Sequence, residues 1–184
     1  QAAALAEALA DEPLDAVFCS DLQRARQTAF ALAAARDLPL QLDAGLRERC
    51  YGGFEGFLYD ELAERFPAEY AAWQAREPDA HFPAGASRGE TLRVFAERAV
   101  AAVLRLAQAA RRDGLRRIAV VSHGGVLESV YRDVHALGHL PPRDFAIPNA
   151  GVNRLRHDGT RLHIACWADV AHLERLAALD EIDA

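Results

Sequence analysis

Residues 117–125 read RIAVVSHGG, the most informative stretch of the chain. Its apolar part has the composition of a buried strand, and His123 stands where that strand ends. Two glycines then lead into the apolar-periodic stretch 126–137, which predicts a helix. Amide groups at a helix start attract anions, and glycine lets an anion approach them closely. The stretch therefore predicts a strand–helix junction that binds an anion, with His123 beside it.

Strand and helix patterns alternate along the rest of the chain. Further strands are predicted at 14–19, 38–42, 151–157 and 161–167. Helices are predicted at 1–11, 21–35 and 91–112 and in the tail. The last two strands flank Asp158-Gly159, a hairpin signal. Alternation of this kind predicts an α/β layer fold with a mostly parallel sheet.

The 184 residues are expected to form one domain, spanning 1–184. Residues 44–57 read as a glycine-rich loop, and the stretch after it is acidic and aromatic, with three prolines. This stretch predicts short helices at most. We interpret residues 53–90 as an insertion of the kind that covers a site like a lid.

Composition excludes several classes of function. The net charge is −6 and the pI about 5.6, which argues against binding to nucleic acid or to anionic membranes. No apolar run reaches the ~18 residues of a membrane span. All 21 basic residues are Arg, so a P-loop and Schiff-base chemistry are excluded. Three cysteines without metal or redox spacing favour a reduced, cytoplasmic setting, and the abundance of Ala and Arg suggests a bacterial source.

A second element of interest is SDLQRARQT at 20–28. Arg24 lies one turn into the predicted helix, where a cation opposes the helix dipole. A bound anion would offset that cost, and a guanidinium grips phosphate with two hydrogen bonds. For Arg26 the sequence does not decide between a role in the site and a position on the surface. Ser20, with Gln23 three residues later, also fits a capping box, which is the structural alternative to a role in the site.

The third element is the loop 46–56, LRERCYGGFEG. Glu48 stands between two arginines near three glycines, which suits a positioned general acid. The alternative is a solvated loop charge. Glu55 is a weaker candidate for the acid, because Phe54 and Gly56 flank it. Glu90 follows Ser87 by three residues before a long helix, which favours a structural capping box.

Three familiar kinds of site are not expected. His135 and His139 are four residues apart, but Gly138 indicates that the helix ends between them, so no metal site is predicted. Cys19 and Arg24 are one residue too close for a cysteine-phosphatase loop. Val120 occupies the position where a nucleophile elbow around Ser122 would need glycine.

Taken together, these elements resemble the histidine phosphatase superfamily, which has the phosphoglycerate-mutase-like fold. The matching pieces are SDLQRARQTA at 20–29, ERCYGGFEG at 48–56, GET at 89–91, VVSHGG at 120–125 and WADVAHL at 167–173. They come in the family's order and span nearly the whole chain. The resemblance implies a three-layer sandwich around a mostly parallel central sheet.

The resemblance also implies a mechanism without metal or other cofactor. A histidine attacks phosphorus and becomes phosphohistidine, while Glu48 serves as the acid and then as the base. Arg24, His123 and the Gly124 amide hold the phosphoryl oxygens, and Arg26 and Tyr51 are further substrate-binding candidates. The family's nucleophile lies in an Arg-His-Gly motif at the end of its first strand. The late stretch 156–159, RHDG, runs into a hairpin turn instead, so we expect the nucleophile on a strand upstream of residue 1.

Three functions stay open at this stage. A phosphatase acting on small phosphorylated metabolites is favoured, because residues 57–88 hold six acids, three arginines and no Lys. The family's cofactor-dependent mutases carry Lys and paired Arg in a longer insertion, so a phosphoglycerate mutase is the first alternative. A non-catalytic relative that binds phosphorylated ligands is the second. A homodimer is expected only because two-fold dimers are the commonest oligomers.

Overall fold

The computed structural model describes residues 1–140 and 143–174. Its helices are α1 (Ala2–Ala8), α2 (Gln23–Ala34), α3 (Tyr59–Arg65), α4 (Pro67–Gln74), α5 (Leu92–Arg112) and α6 (Gly124–Val134). Its strands are β1 (Ala16–Cys19), β2 (Leu40–Leu42), β3 (Ile118–Val121), β4 (Val152–His157) and β5 (Leu162–Asp169). Short 3-10 turns occupy Ala44–Leu46 and Gly52–Phe54. The elements follow the predicted order; the predicted tail helix falls largely on 175–184, outside the described residues.

The central sheet is parallel, with strand order β2-β1-β3. Val17 pairs with Leu40 on one side and with Ala119 on the other, so β1 is the middle strand of the three. β4 and β5 form a separate antiparallel pair, joined through the predicted hairpin turn. The α/β prediction is therefore confirmed, with the two late strands outside the parallel sheet.

Apolar residues cover both faces of the parallel sheet. Val17 and Cys19 are fully buried on one face, where they pack with α2 residues such as Leu32. Phe18 and Val120 point to the other face, where they pack against a cluster that includes α5 residues. A strand buried on both faces needs a continuous apolar run, which is what 16–19 and 118–121 supply. The result is a three-layer arrangement.

Both predicted capping boxes are wrong. Helix α2 begins at Gln23 with Leu22 as its cap, and the Ser20 hydroxyl bonds to His123 instead. Helix α5 is capped by Thr91, whose hydroxyl accepts a hydrogen bond from the Val94 amide at 3.2 Å. Glu90, which the second pattern assigned to the box, pairs with Arg98 instead.

The segment after the glycine-rich loop folds back over the start of α5. It consists of α3, α4 and a connecting stretch, and its aromatic rings form one cluster around Phe54 and Trp73. The amide of Gly53 donates to the carbonyl of Pro83 at 2.9 Å, which closes the segment at its base. No helix among residues 1–140 and 143–174 has the length and apolarity needed to cross a bilayer.

Candidate active site

The site lies where β1 and β3 end. These neighbouring parallel strands finish at the same edge of the sheet, so Ser20 and His123, which follow them, meet across 103 residues of sequence. The His123 Nε2 and Ser20 Oγ atoms are 2.8 Å apart, and the Ser20 amide donates to the Val121 carbonyl at 3.0 Å. Ser20 is completely buried, so its hydroxyl anchors the imidazole and is closed to substrate.

Arg24 approaches the other nitrogen of the same ring. Its Nε donates to His123 Nδ1 at 3.1 Å. Because Nδ1 accepts this bond, the neutral ring carries its proton on Nε2 and donates it to Ser20. Burial, with a smaller effect from the Arg24 charge, lowers the pKa of His123 below its usual value. Arg24 and His123 therefore meet at one place, as expected if both hold the same phosphoryl group.

Glu48 reaches the same place from the loop after β2. Its Oε2 accepts a hydrogen bond from the Gly125 amide at 3.0 Å, and its Oε1 accepts one from the Arg49 amide at 2.9 Å. The carboxylate is therefore oriented against the first turn of α6. Arg24, Glu48, His123 and Gly124 all line one groove.

An ion pair fixes the loop that carries Glu48. Arg98 on α5 bonds both oxygens of Glu90 at 2.7 Å and also donates to the carbonyls of Gly45 and Arg47. Glu90 in turn accepts from the Cys50 amide at 3.2 Å. Among the causes acting on Glu90, burial raises its pKa, but its bonds to Arg98 and Cys50 outweigh burial and the net pKa is lowered. Glu90 therefore has a structural role, as the sequence favoured, but it acts through its bonds to Arg98 and Cys50 and not through a capping box.

The two glycines at the start of α6 differ in the space around them. A Cβ on Gly125 would overlap Glu48 Oε1 and lie 3.0 Å from the Phe95 ring, whereas a Cβ on Gly124 would meet no atom of the described residues within 4 Å. Only glycine at position 125 leaves the Glu48 carboxylate where it is.

We expect Gly125→Ala to displace Glu48 and to lower turnover at least tenfold, because misplacement of a catalytic group by about 1 Å can cost on the order of a hundredfold. Steady-state kinetics and thermal unfolding of the variant check this. Gly124→Ala is the matched variant for stability, and its unfolding temperature should stay close to that of the parent protein. A Gly125→Ala protein with unchanged kcat would show that the position of Glu48 does not matter.

Two sequence candidates lie elsewhere. Arg26 is an exposed residue of α2, outside the lining of the groove. Tyr51 is half-buried in the aromatic cluster and lines a second cavity of about 810 Å³, which also touches Gly124 and Gly125. Burial raises the pKa of Tyr51, so its phenol stays protonated at neutral pH. The structure thus places Tyr51 near the junction, though not in the groove itself.

Sequence reasoning missed Arg49. Its side chain is 9% exposed, its Nε donates to the Glu90 carbonyl at 3.0 Å, and its guanidinium lies 4.7 Å from the centre of the Phe82 ring. Burial lowers its pKa. Arg49 lines the second cavity beside Tyr51. Its position directly after Glu48 was the available signal, but Phe82 and Glu90, which bury it, lie more than 30 residues away.

The described residues around this site are not arranged as the ligands of a metal ion. Within residues 1–140 and 143–174, no three His, Cys, Asp or Glu side chains gather as metal ligands would. The cations that the described site offers are guanidinium groups.

Comparison with known proteins gives consistent results. The model of the histidine phosphatase superfamily (branch 1) matches residues 1–170. Phosphoglycerate mutase-like protein 4 of Arabidopsis thaliana is 35% identical over 97% of this chain and 75% of its own length. A metal-independent phosphoserine phosphatase of the same plant is 33% identical over 97% of this chain and 72% of its own. Among solved structures, YhfR of Bacillus stearothermophilus matches with a TM-score of 0.78 and 28% identity over 94% of this chain and 82% of its own.

Proposed function

Because the chain belongs to the histidine phosphatase superfamily, we propose that it is a phosphatase that hydrolyses small phosphomonoesters through a phosphohistidine intermediate. The observation that carries this proposal is the convergence of Arg24, His123 and Glu48 at the glycine-rich start of α6. Cationic and amide donors there suit a phosphoryl group, and a carboxylate stands within the same groove.

The groups act in two steps of the proposed reaction. An imidazole nitrogen first attacks phosphorus, the bond from phosphorus to the ester oxygen breaks, and Glu48 gives its proton to the departing oxygen. Glu48 then takes a proton from water, whose oxygen attacks phosphorus while the bond from phosphorus to the imidazole nitrogen breaks, and phosphate is released. Arg24 and the Gly124 amide hold the phosphoryl oxygens while charge moves onto them. His123 takes part as the imidazolium, in which an Nδ1 proton directed at the phosphoryl group replaces the bond from Arg24.

We assign the attacking imidazole to a strand that precedes residue 1. Ser20 is unsuitable as the nucleophile because it is fully buried. Cys19 is unsuitable as well, because it is buried and burial raises the pKa of its thiol. Among the described strands, β3 is paired along one edge only. A groove of about 1530 Å³ is lined by β3, by β4, and by His123 and Glu48. A further strand laid parallel to β3 in this groove would bring its carboxyl end to the site.

The phosphatase is favoured over the mutase by the segment over α5, because residues 57–88 hold six acids against three arginines and no Lys. One relative carries the name of a phosphoserine phosphatase that needs no metal, and another that of a mutase-like protein. The proposal includes a cytoplasmic location, a small phosphorylated metabolite as substrate and a homodimer, without nucleic-acid or membrane partners.

The test is a phosphate-release assay of the full-length protein in the presence of EDTA, with p-nitrophenyl phosphate and O-phosphoserine as substrates. We expect turnover without added metal, together with a phosphoenzyme in quenched samples that acid destroys and alkali spares. Interconversion of 3- and 2-phosphoglycerate with little phosphate release would establish the mutase instead. Binding of phosphorylated ligands without either reaction would establish the non-catalytic relative.

A further inference from the structure

The second cavity adjoins the phosphate-binding junction on the side of α4 and α5. It touches both Gly124 and Gly125, so the organic part of an ester held at the start of α6 can extend into it. Apolar residues of α5 line it, namely Leu92, Phe95, Val100 and Leu104, and Tyr51 and Trp73 form an aromatic wall. Charged residues line it as well: Arg49, Arg76, Glu97, Glu128, Arg132, Asp133 and Arg143. A leaving group that enters this cavity therefore meets the apolar side of α5 and the aromatic wall, with charged groups beside them.

Arg76 connects the end of α4, which carries Trp73, to α6, the helix that begins at the site. Its Nε donates to the His139 carbonyl at 2.8 Å, and its terminal nitrogen bonds Glu128 Oε1 at 2.5 Å. Glu128 lies one turn beyond Gly124 on α6 and is buried, as is its second partner Arg132, whose Nε lies 2.9 Å away. Arg76 is therefore bound to a carboxylate that the protein holds in one place.

Arg76 lies at the carboxyl end of α4, two residues after Gln74 and three after Trp73. Its φ of +56° and the bond from its amide to the Trp73 carbonyl at 3.0 Å form the left-handed cap that commonly ends a helix. The Trp73 ring in turn meets those of Tyr51 and Phe54, with centroids 6.2 and 6.1 Å away. The side-chain bonds of Arg76 to Glu128 and to the His139 carbonyl therefore hold the end of α4 that carries Trp73 against α6 and the chain that follows it.

We propose that Arg76 is a positioning residue that holds Trp73 over the second cavity and thereby determines which leaving groups the enzyme binds well. The inference rests on the proposed phosphatase function. The substrates it selects are phosphomonoesters with a planar, largely apolar organic group of one or two rings, which fits between the aromatic wall and α5. An ester with a one-carbon organic group does not reach Trp73 and does not use Arg76.

The chain offers a matched control for Arg76. Arg93 also ties the segment over α5 by an ion pair, to Asp79 at 2.7 Å, but both of these side chains are largely exposed. Exposed pairs contribute little to stability. Neither Arg93 nor Asp79 lines the second cavity. Replacing Arg93 therefore removes the same charge and the same kind of contact without touching the Trp73 wall.

The experiment compares Arg76→Gln and Arg93→Gln in the full-length protein, with 2-naphthyl phosphate and methyl phosphate as substrates. For Arg76→Gln we expect KM for the naphthyl ester to rise about tenfold with kcat within about twofold, because ground-state and transition-state binding of the ring are lost together. Both constants for methyl phosphate should stay unchanged, and Arg93→Gln should match the parent on both esters. A naphthyl KM that stays at the parent value, or an equal change of KM on both esters, would overturn the proposal. Arg76→Lys keeps the charge beside Glu128 and should restore part of the naphthyl KM; it replaces Arg76→Gln if that variant fails to fold.

Fluorescence tests the position of Trp73 without catalysis. Residues 1–184 hold two tryptophans, so Trp167→Phe leaves Trp73 as the one indole among them. In that background Arg76→Gln should make Trp73 more accessible to acrylamide, and Arg93→Gln should not. Unchanged quenching in Arg76→Gln would overturn the positioning role. A parent protein that hydrolyses no phosphomonoester would overturn the proposed function, and the quenching result would still decide the role of Arg76.

Discussion

Glu48→Gln is expected to slow the cleavage of alkyl phosphates by about 10²–10⁴-fold, the usual contribution of one general acid. Glutamine keeps the shape of the side chain, and its carbonyl oxygen can still accept from the Gly125 amide, as Glu48 does at 3.0 Å. It has no acidic proton to give to a departing alkoxide. A phenolate leaves without such help, so cleavage of p-nitrophenyl phosphate should fall much less.

The measurement is the single-turnover rate of phosphoenzyme formation with an alkyl and an aryl ester. Steady-state turnover would mix in the later attack of water, for which Glu48 is the proposed base. Equal losses on the two esters would show that Glu48 is not the acid, and Glu55 would then be the next carboxylate to test. Circular dichroism of the variant excludes unfolding as the cause.

Arg24→Ala is expected to lower phosphoenzyme formation by about 10²–10³-fold, the range for removal of one preorganised donor to a developing charge. The loss should be similar for alkyl and aryl esters, because the phosphoryl oxygens that Arg24 holds are the same in both. The same substitution removes the 3.1 Å bond to His123 Nδ1 and leaves the imidazole held through its bond to Ser20. The measurement is again the single-turnover rate of phosphoenzyme formation with an alkyl and an aryl ester.

Arg26→Ala is the charge-matched control for Arg24→Ala. It removes an arginine two residues further along α2, outside the groove lining, and the geometry predicts little loss of rate. A loss as large as that of Arg24→Ala would mean that general positive charge on α2, not the contact at His123, assists the reaction. A leaving-group dependence for Arg24→Ala would contradict its role as a phosphoryl ligand.

The fold was largely predictable because its signals are local. The continuous apolar runs of β1 and β3 and the Asp158-Gly159 turn act within a few residues, and all three elements form where the patterns indicated. The convergence of Arg24 and His123 was also predictable, because parallel strands end at one edge of a sheet. Bounds differed by a few residues, as at the start of α2.

What could not be predicted depends on contacts between distant segments. Ser20 matched a capping box, but its hydroxyl lies against His123. Arg49 binds a carbonyl 41 residues away, and Arg76 binds Glu128 across 52 residues. No local pattern distinguishes these arginines from solvated ones. A side chain with several competing partners is decided by the tertiary structure, and sequence spacing shows only the nearest of them.

The register of the parallel sheet bears on how the protein folds. β1 and β2 are neighbours in sequence and can pair early around α2. β3 pairs with β1 only later, because Ile118 and its partner Ala16 are far apart in sequence. Bringing these residues together closes a long loop before any pairing energy is gained, and such non-local contacts slow folding. The Ser20–His123 bond forms only after that closure. Recovery of activity during refolding should therefore lag behind the recovery of helix, and the late step should be the docking of β3 on β1.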